Sequence, residues 1–152
     1  MLSAVIRGRA RATLALALAA GPLGALALAL VHGGGPGRPP PISLQAAILM
    51  IVAAPVLEEL AFRGAVTDLV QALLKRLAMA DTSTLTRTNV ITSLAFAACH
   101  LPYQPIGMAA AVLLPSLLLG KVREVTGSVV PCMVIHAWFN ACYLMVGGGP
   151  AG

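Results

Sequence analysis

Apolar residues run almost unbroken from Ile48 to Leu57; then Glu58 and Glu59 stand side by side, with Arg63 one helical turn further on. Charged groups inside hydrocarbon cost several kcal/mol each, are rare there and mark function. The rest of the chain is poor in charge: of 152 residues, 59% are hydrophobic and 10% charged, with a mean hydropathy of +0.90. A soluble domain carries about 25% charged residues. These properties place the chain in a bilayer as one all-α domain, residues 1–152: a polytopic membrane bundle of about five to six transmembrane helices, since a span needs about 20 residues.

The apolar runs give five spans. The first, 11–31, is an Ala/Leu series behind Arg7, Arg9 and Arg11. Its apolar stretch of about 20 residues exceeds the 7–15 of a signal-peptide core, so a retained anchor is expected. The Gly/Pro-rich stretch 33–41 reads as a loop. A motif-bearing core, 43–146, follows. Its first helix starts at Ser43 as N-cap and continues towards Lys75; at about 1.5 Å per residue it outruns a 30 Å core, so it should tilt, kink at Pro55 or emerge after Arg63. Residues 75–87 form a polar link, and the remaining spans are 88–101, 106–119 and 128–146.

The basic residues cluster between apolar runs, so the net charge of +5 and the pI near 9.7 read as topology signals rather than as nucleic-acid binding. With the N-terminus cytoplasmic, Arg7, Arg9, Arg11, Lys75, Arg76, Arg87, Lys121 and Arg123 all lie inside and only Arg38 outside. Cys99, Cys132 and Cys142 form no CxxC motif and read as buried free thiols.

The remaining polar residues within the spans are His100, His136 and Asn140. Counting inward at about 1.5 Å per residue puts His136 about 12 Å deep, Arg63, His100 and Asn140 about 18–20 Å and Glu59 about 24 Å. Three spans thus contribute polar groups near one level. Glu59 and Arg63, Phe96 and His100, and His136 and Asn140 are each i,i+4 pairs that share a helix face. Taken singly, each has a structural explanation: Glu59–Arg63 as an ion pair, Phe96 as packing, His136 or Asn140 as interhelical hydrogen bonds of about 0.6 kcal/mol. Glu58 has no matching cation in its own helix, which favours a cavity-facing role. Trp138 and the methionines read as core or lipid-facing.

Glu58-Glu59-x-x-x-Arg63, Phe96-x-x-x-His100 and His136-x-x-x-Asn140, in that order on successive spans, resemble the three motifs of the CAAX-protease and bacteriocin-processing (CPBP, or Abi) family of intramembrane proteases. The resemblance spans about 43–145. It implies an endopeptidase that cuts near the C-terminus of a membrane-associated, lipidated or C-terminally anchored protein, in a role such as protein sorting. It also implies that Glu58 and His100 activate water, with Glu59 in the catalytic set, His136 and Asn140 supporting the oxyanion, and Arg63 and Phe96 assisting. The chain is shorter than many members, with about one span ahead of the first motif.

The residues themselves fit this chemistry: a base for water and donors for a tetrahedral oxyanion. Ser93 and Ser116 lack a histidine at helical spacing, and Cys99 and His100 diverge as neighbours on a helix. No cofactor is expected. The zinc alternative would use Glu58, His100 and His136 as a His₂Glu set. The competing class is a non-catalytic membrane immunity or scaffold protein that uses the same polar cluster for binding. The expected setting is a bacterial inner membrane, with the bilayer and a protein substrate as partners.

Overall fold

The computed structural model describes residues 2–31, 42–79 and 85–146, and among them every regular element is helical. Helix α1 is Leu2–Val31, α2 Leu44–Arg76, α3 Arg87–His100, α4 Ile106–Ala111, α5 Leu113–Thr126 and α6 Val130–Met145. Three described stretches are long and apolar enough to cross a membrane: Arg7–Leu30 within α1, all of α2, and Ile106–Thr126, which joins α4 to α5. Helices α3 and α6, of 14 and 16 residues, are shorter than a full span. The expected loop at 33–41 lies outside the described residues, as do residues 80–84 of the polar link between α2 and α3.

Local chemistry sets the element ends. Ser43 caps α2 as expected: its hydroxyl accepts the Ala46 N–H at 3.1 Å. Thr86 does the same for α3 through the Asn89 N–H at 3.1 Å. Pro115 has no N–H to offer Ala111 four residues back, and the helix is interrupted there, at Val112, between α4 and α5. The expected end of that span at Leu119 is corrected. Lys121 and Arg123 belong to the helix, which runs to Thr126 and stops where Gly127 takes the left-handed conformation (φ 67°) and returns its N–H to the Arg123 carbonyl.

Two π-helical turns interrupt α2, at Leu49–Ala53 and Leu60–Val66, on either side of the segment Ala54–Glu59. Such turns insert a residue into the α-helical register and recur at functional sites.

The chain divides into two compact units: residues up to Leu57 together with those from Met133 on, and Glu58–Cys132. In the first unit, α6 satisfies two carbonyls that prolines leave open. Pro22 lies inside α1 and cannot bond the Leu18 carbonyl; the Trp138 indole N–H donates to it at 2.9 Å. Gly21 permits this approach, since a Cβ there would lie 2.8 Å from Trp138 Nε1. In the first π turn Ala54 bonds Leu49, five residues back, so the next residue, Pro55, would answer Met50. It has no N–H, and Asn140 Nδ2 donates to the Met50 carbonyl at 2.8 Å instead. Trp138 is therefore a polar tie between helices as well as an apolar surface.

In the second unit, α3 and α5 meet around Asn89 and Gly120. Asn89 Nδ2 donates to the Leu117 carbonyl at 3.0 Å, and Ser93 Oγ to Asn89 Oδ1 at 3.1 Å. A Cβ on residue 120 would overlap the Asn89 side chain, so only glycine admits this lock. Cys132 Sγ reaches the Leu119 carbonyl at 3.4 Å, fastening the start of α6 to α5. Cys132 and Cys142 are buried free thiols as expected, whereas Cys99 is exposed on the face of α3.

Candidate active site

Within the Glu58–Cys132 unit, the polar centre forms around Arg63. The guanidinium is 1% exposed and Glu59 is 0% exposed, with Nε 3.5 Å from Glu59 Oε2, which makes the expected i,i+4 pair a buried one. Arg63 Nη2 donates to both the carbonyl and the hydroxyl of Ser116, each at 2.8 Å, tying α2 to α5. In return Arg123 Nε donates to the Arg63 carbonyl at 3.1 Å. The second π turn leaves that carbonyl accessible, because the Thr67 N–H is directed to Phe62 and Gly64.

Phe96 connects this ion pair to His100. The Arg63 guanidinium lies 5.2 Å from the centre of the Phe96 ring, a cation–π contact. Phe62 meets the same ring edge-on at 5.0 Å, and the His100 ring, tilted by 46°, lies 4.7 Å away. Phe96 is 3% exposed, so its packing role holds and extends to orienting two charged or polar groups.

His100 is half-buried, and its Nδ1 lies 2.9 Å from the Phe96 carbonyl. A carbonyl only accepts, so Nδ1 carries the proton in this bond, and the neutral ring keeps its Nε2 lone pair. That is the arrangement needed of a base or of a group that orients water. The two neighbouring carboxylates differ in setting: Glu59 is sealed against Arg63, while Glu58 is half-buried.

His136 and Asn140 belong to the other unit. His136 is buried; Asn140 is half-buried and gives one amide N–H to Met50. A primary amide has two N–H donors, and the bond to Met50 uses one. Within each unit, the described residues contain no group of three His, Cys, Asp or Glu side chains that could hold a metal ion.

Ser116, Asn89, Thr92 and Arg123 are polar positions of this centre that sequence motifs did not single out. The signal for Ser116 was its place, a small polar residue in an apolar run one turn before Gly120.

The apolar spans describe an integral membrane protein, and the polar centre is buried within it. The family model "Type II CAAX prenyl endopeptidase Rce1-like" matches residues 40–142, a stretch that contains all three motifs. The chain belongs to this Rce1-like family, and is accordingly a CAAX-type intramembrane endopeptidase. No curated protein and no solved structure matches the chain.

Proposed function

We propose that this chain hydrolyses a peptide bond near the C-terminus of a lipidated or C-terminally anchored membrane protein, by the glutamic route and with no cofactor. One observation carries the reading: of two adjacent carboxylates, Glu59 is fully buried against Arg63 while Glu58 keeps partial exposure. Glu59 is the structural member of the catalytic pair, and Glu58 is the base.

In this mechanism water is held by Glu58 and by His100 Nε2. Its oxygen attacks the scissile carbonyl carbon while its proton passes to Glu58. The carbonyl becomes a tetrahedral oxyanion, for which His136 N–H and the second Asn140 N–H are the donors. Collapse of this intermediate breaks the C–N bond, and the proton held by Glu58 goes to the departing amine. Loss of one oxyanion donor costs about 10²–10³ in turnover and loss of the base about 10²–10⁴. The chain acts as a single domain in a bacterial inner membrane with its N-terminus cytoplasmic, where the cluster of basic residues favours that orientation. Sorting of proteins with C-terminal membrane anchors is the proposed role.

The test is a purified, detergent-solubilised protein with a C-terminally anchored peptide. Cleavage that persists after exhaustive chelation and is lost in Glu58→Gln supports the glutamic route. Cleavage that chelation abolishes and zinc restores would point to the His₂Glu alternative. A Glu58→Ala strain that keeps the wild-type phenotype would favour a binding role instead.

A further inference from the structure

We infer that the Glu58–Cys132 unit contains a water inlet leading to the buried Glu59–Arg63 pair, separate from the motif residues that face substrate. A cavity of about 150 Å³ lies against Arg63 and is walled by Thr67, Thr88, Asn89, Thr92 and Arg123. Its neighbour, a cleft of about 580 Å³, reaches Lys75 and Met79. The two share Gln71, Thr86, Thr88 and Glu124, and so form successive stretches of one polar passage between α2, α3 and α5.

Two residues of the inner cavity wall, Arg63 and Thr92, each hold a buried atom, Nη1 and Oγ1, without a hydrogen-bond partner among the described residues, and both side chains are 1% exposed. Buried polar atoms in this condition are the ones ordered water satisfies, provided the space is polar and roomy. Here it is both: a water's share of liquid volume is about 30 Å³, so the inner cavity accommodates a few. A row of threonines also supplies hydroxyls that can pass hydrogen bonds from one water to the next. Lipid offers no such route.

This inference rests on the peptidase reading only for its purpose. Hydrolysis consumes one water per bond cut, and an intramembrane site has to be resupplied. With the N-terminus cytoplasmic as proposed above, Lys75 puts the mouth of the passage on the cytoplasmic side, and Arg63 leads by its ion pair to the residue next to Glu58.

The physical claim is tested without turnover. In a background free of Cys99, Cys132 and Cys142, single cysteines are placed at Gln71, Thr88 and Thr92, with Ile91→Cys as an exposed apolar control on α3. Each is exposed to Ag⁺, a thiol-reactive ion of about the size of water, and the remaining thiol is read by maleimide in SDS. Gln71→Cys, Thr88→Cys and Thr92→Cys are expected to be blocked at least tenfold faster than Ile91→Cys. Reaction at Gln71 with none above the control at Thr88 and Thr92 overturns the inlet, whether or not the protein proves to be a peptidase. The supply role is tested by Thr88→Val and Thr92→Val, which keep the shape and remove the hydroxyls. The expected result is a fall in kcat of about tenfold with KM unchanged, and an unchanged kcat in both overturns the role.

Discussion

Arg63 joins several of the described contacts of the polar centre. It neutralises Glu59, ties α2 to α5 through Ser116 and lies over Phe96. Removing one partner of a buried pair leaves the other charge uncompensated, at about 3–5 kcal/mol, whereas removing both costs far less. Arg63→Met is therefore expected to lower the detergent melting temperature steeply or to prevent folding, and adding Glu59→Gln should recover much of the loss. A double variant no better than Arg63→Met would show that the Ser116 bonds, not the ion pair, are what matters. Glu58→Gln should behave in the opposite way, retaining the wild-type melting temperature while losing turnover. The Glu59–Arg63 and Phe96–His100 pairs were legible in sequence because i,i+4 spacing fixes a shared face. Ser116 was not, because its contact with Arg63 joins residues 53 apart.

Among the helices, the open carbonyls behind prolines govern how α6 is attached. Trp138→Phe leaves the Leu18 carbonyl without its donor, and because this bond lies on the exposed surface of the helices the loss is that of one hydrogen bond, about 0.5–1.5 kcal/mol. Pro22→Ala restores the backbone N–H four residues on, so the Trp138→Phe penalty should shrink in that background. A penalty that is the same with and without Pro22 would mean that the indole contributes by packing alone. At the α3–α5 contact, Gly120→Ala forces the Asn89 side chain out and should destabilise by about 1–3 kcal/mol, read as a lower melting temperature at unchanged helix content. Pro55 could be read as a disruption of α2, but not how it is accommodated, since the Met50 carbonyl it leaves open is answered by Asn140, 90 residues further along the chain from Met50. Lys121 and Arg123, read as cytoplasmic, put the end of the span at Leu119, because charges usually end an apolar span. The stop signal was Gly127, and the intervening arginine is used to bond the Arg63 carbonyl.

At the scale of the whole chain, the low charge content was enough to identify a helical membrane protein, and three described apolar stretches are of spanning length. Helix α6 is apolar but shorter than a span, and α3 is shorter still and carries several buried polar residues; these two helices matter for the motif residues they hold, His100 on α3 and His136 and Asn140 on α6. The order of the motifs along the chain made the family recognisable, and the match over residues 40–142 agrees. How the ion pair, the π turns and the proline-linked bonds support those motifs was not written in any single segment. It depends on which residues of distant helices meet, and periodicity within one helix is silent on that.

The most direct measurement is mass spectrometry of membrane-protein C-termini in cells that express the wild type or Glu58→Gln at equal levels. A set of anchored proteins should end earlier in the wild-type membranes and run to full length beside the Gln variant. Identical C-termini in both, with each protein folded and inserted, would contradict the assignment of Glu58 as the base of a peptidase.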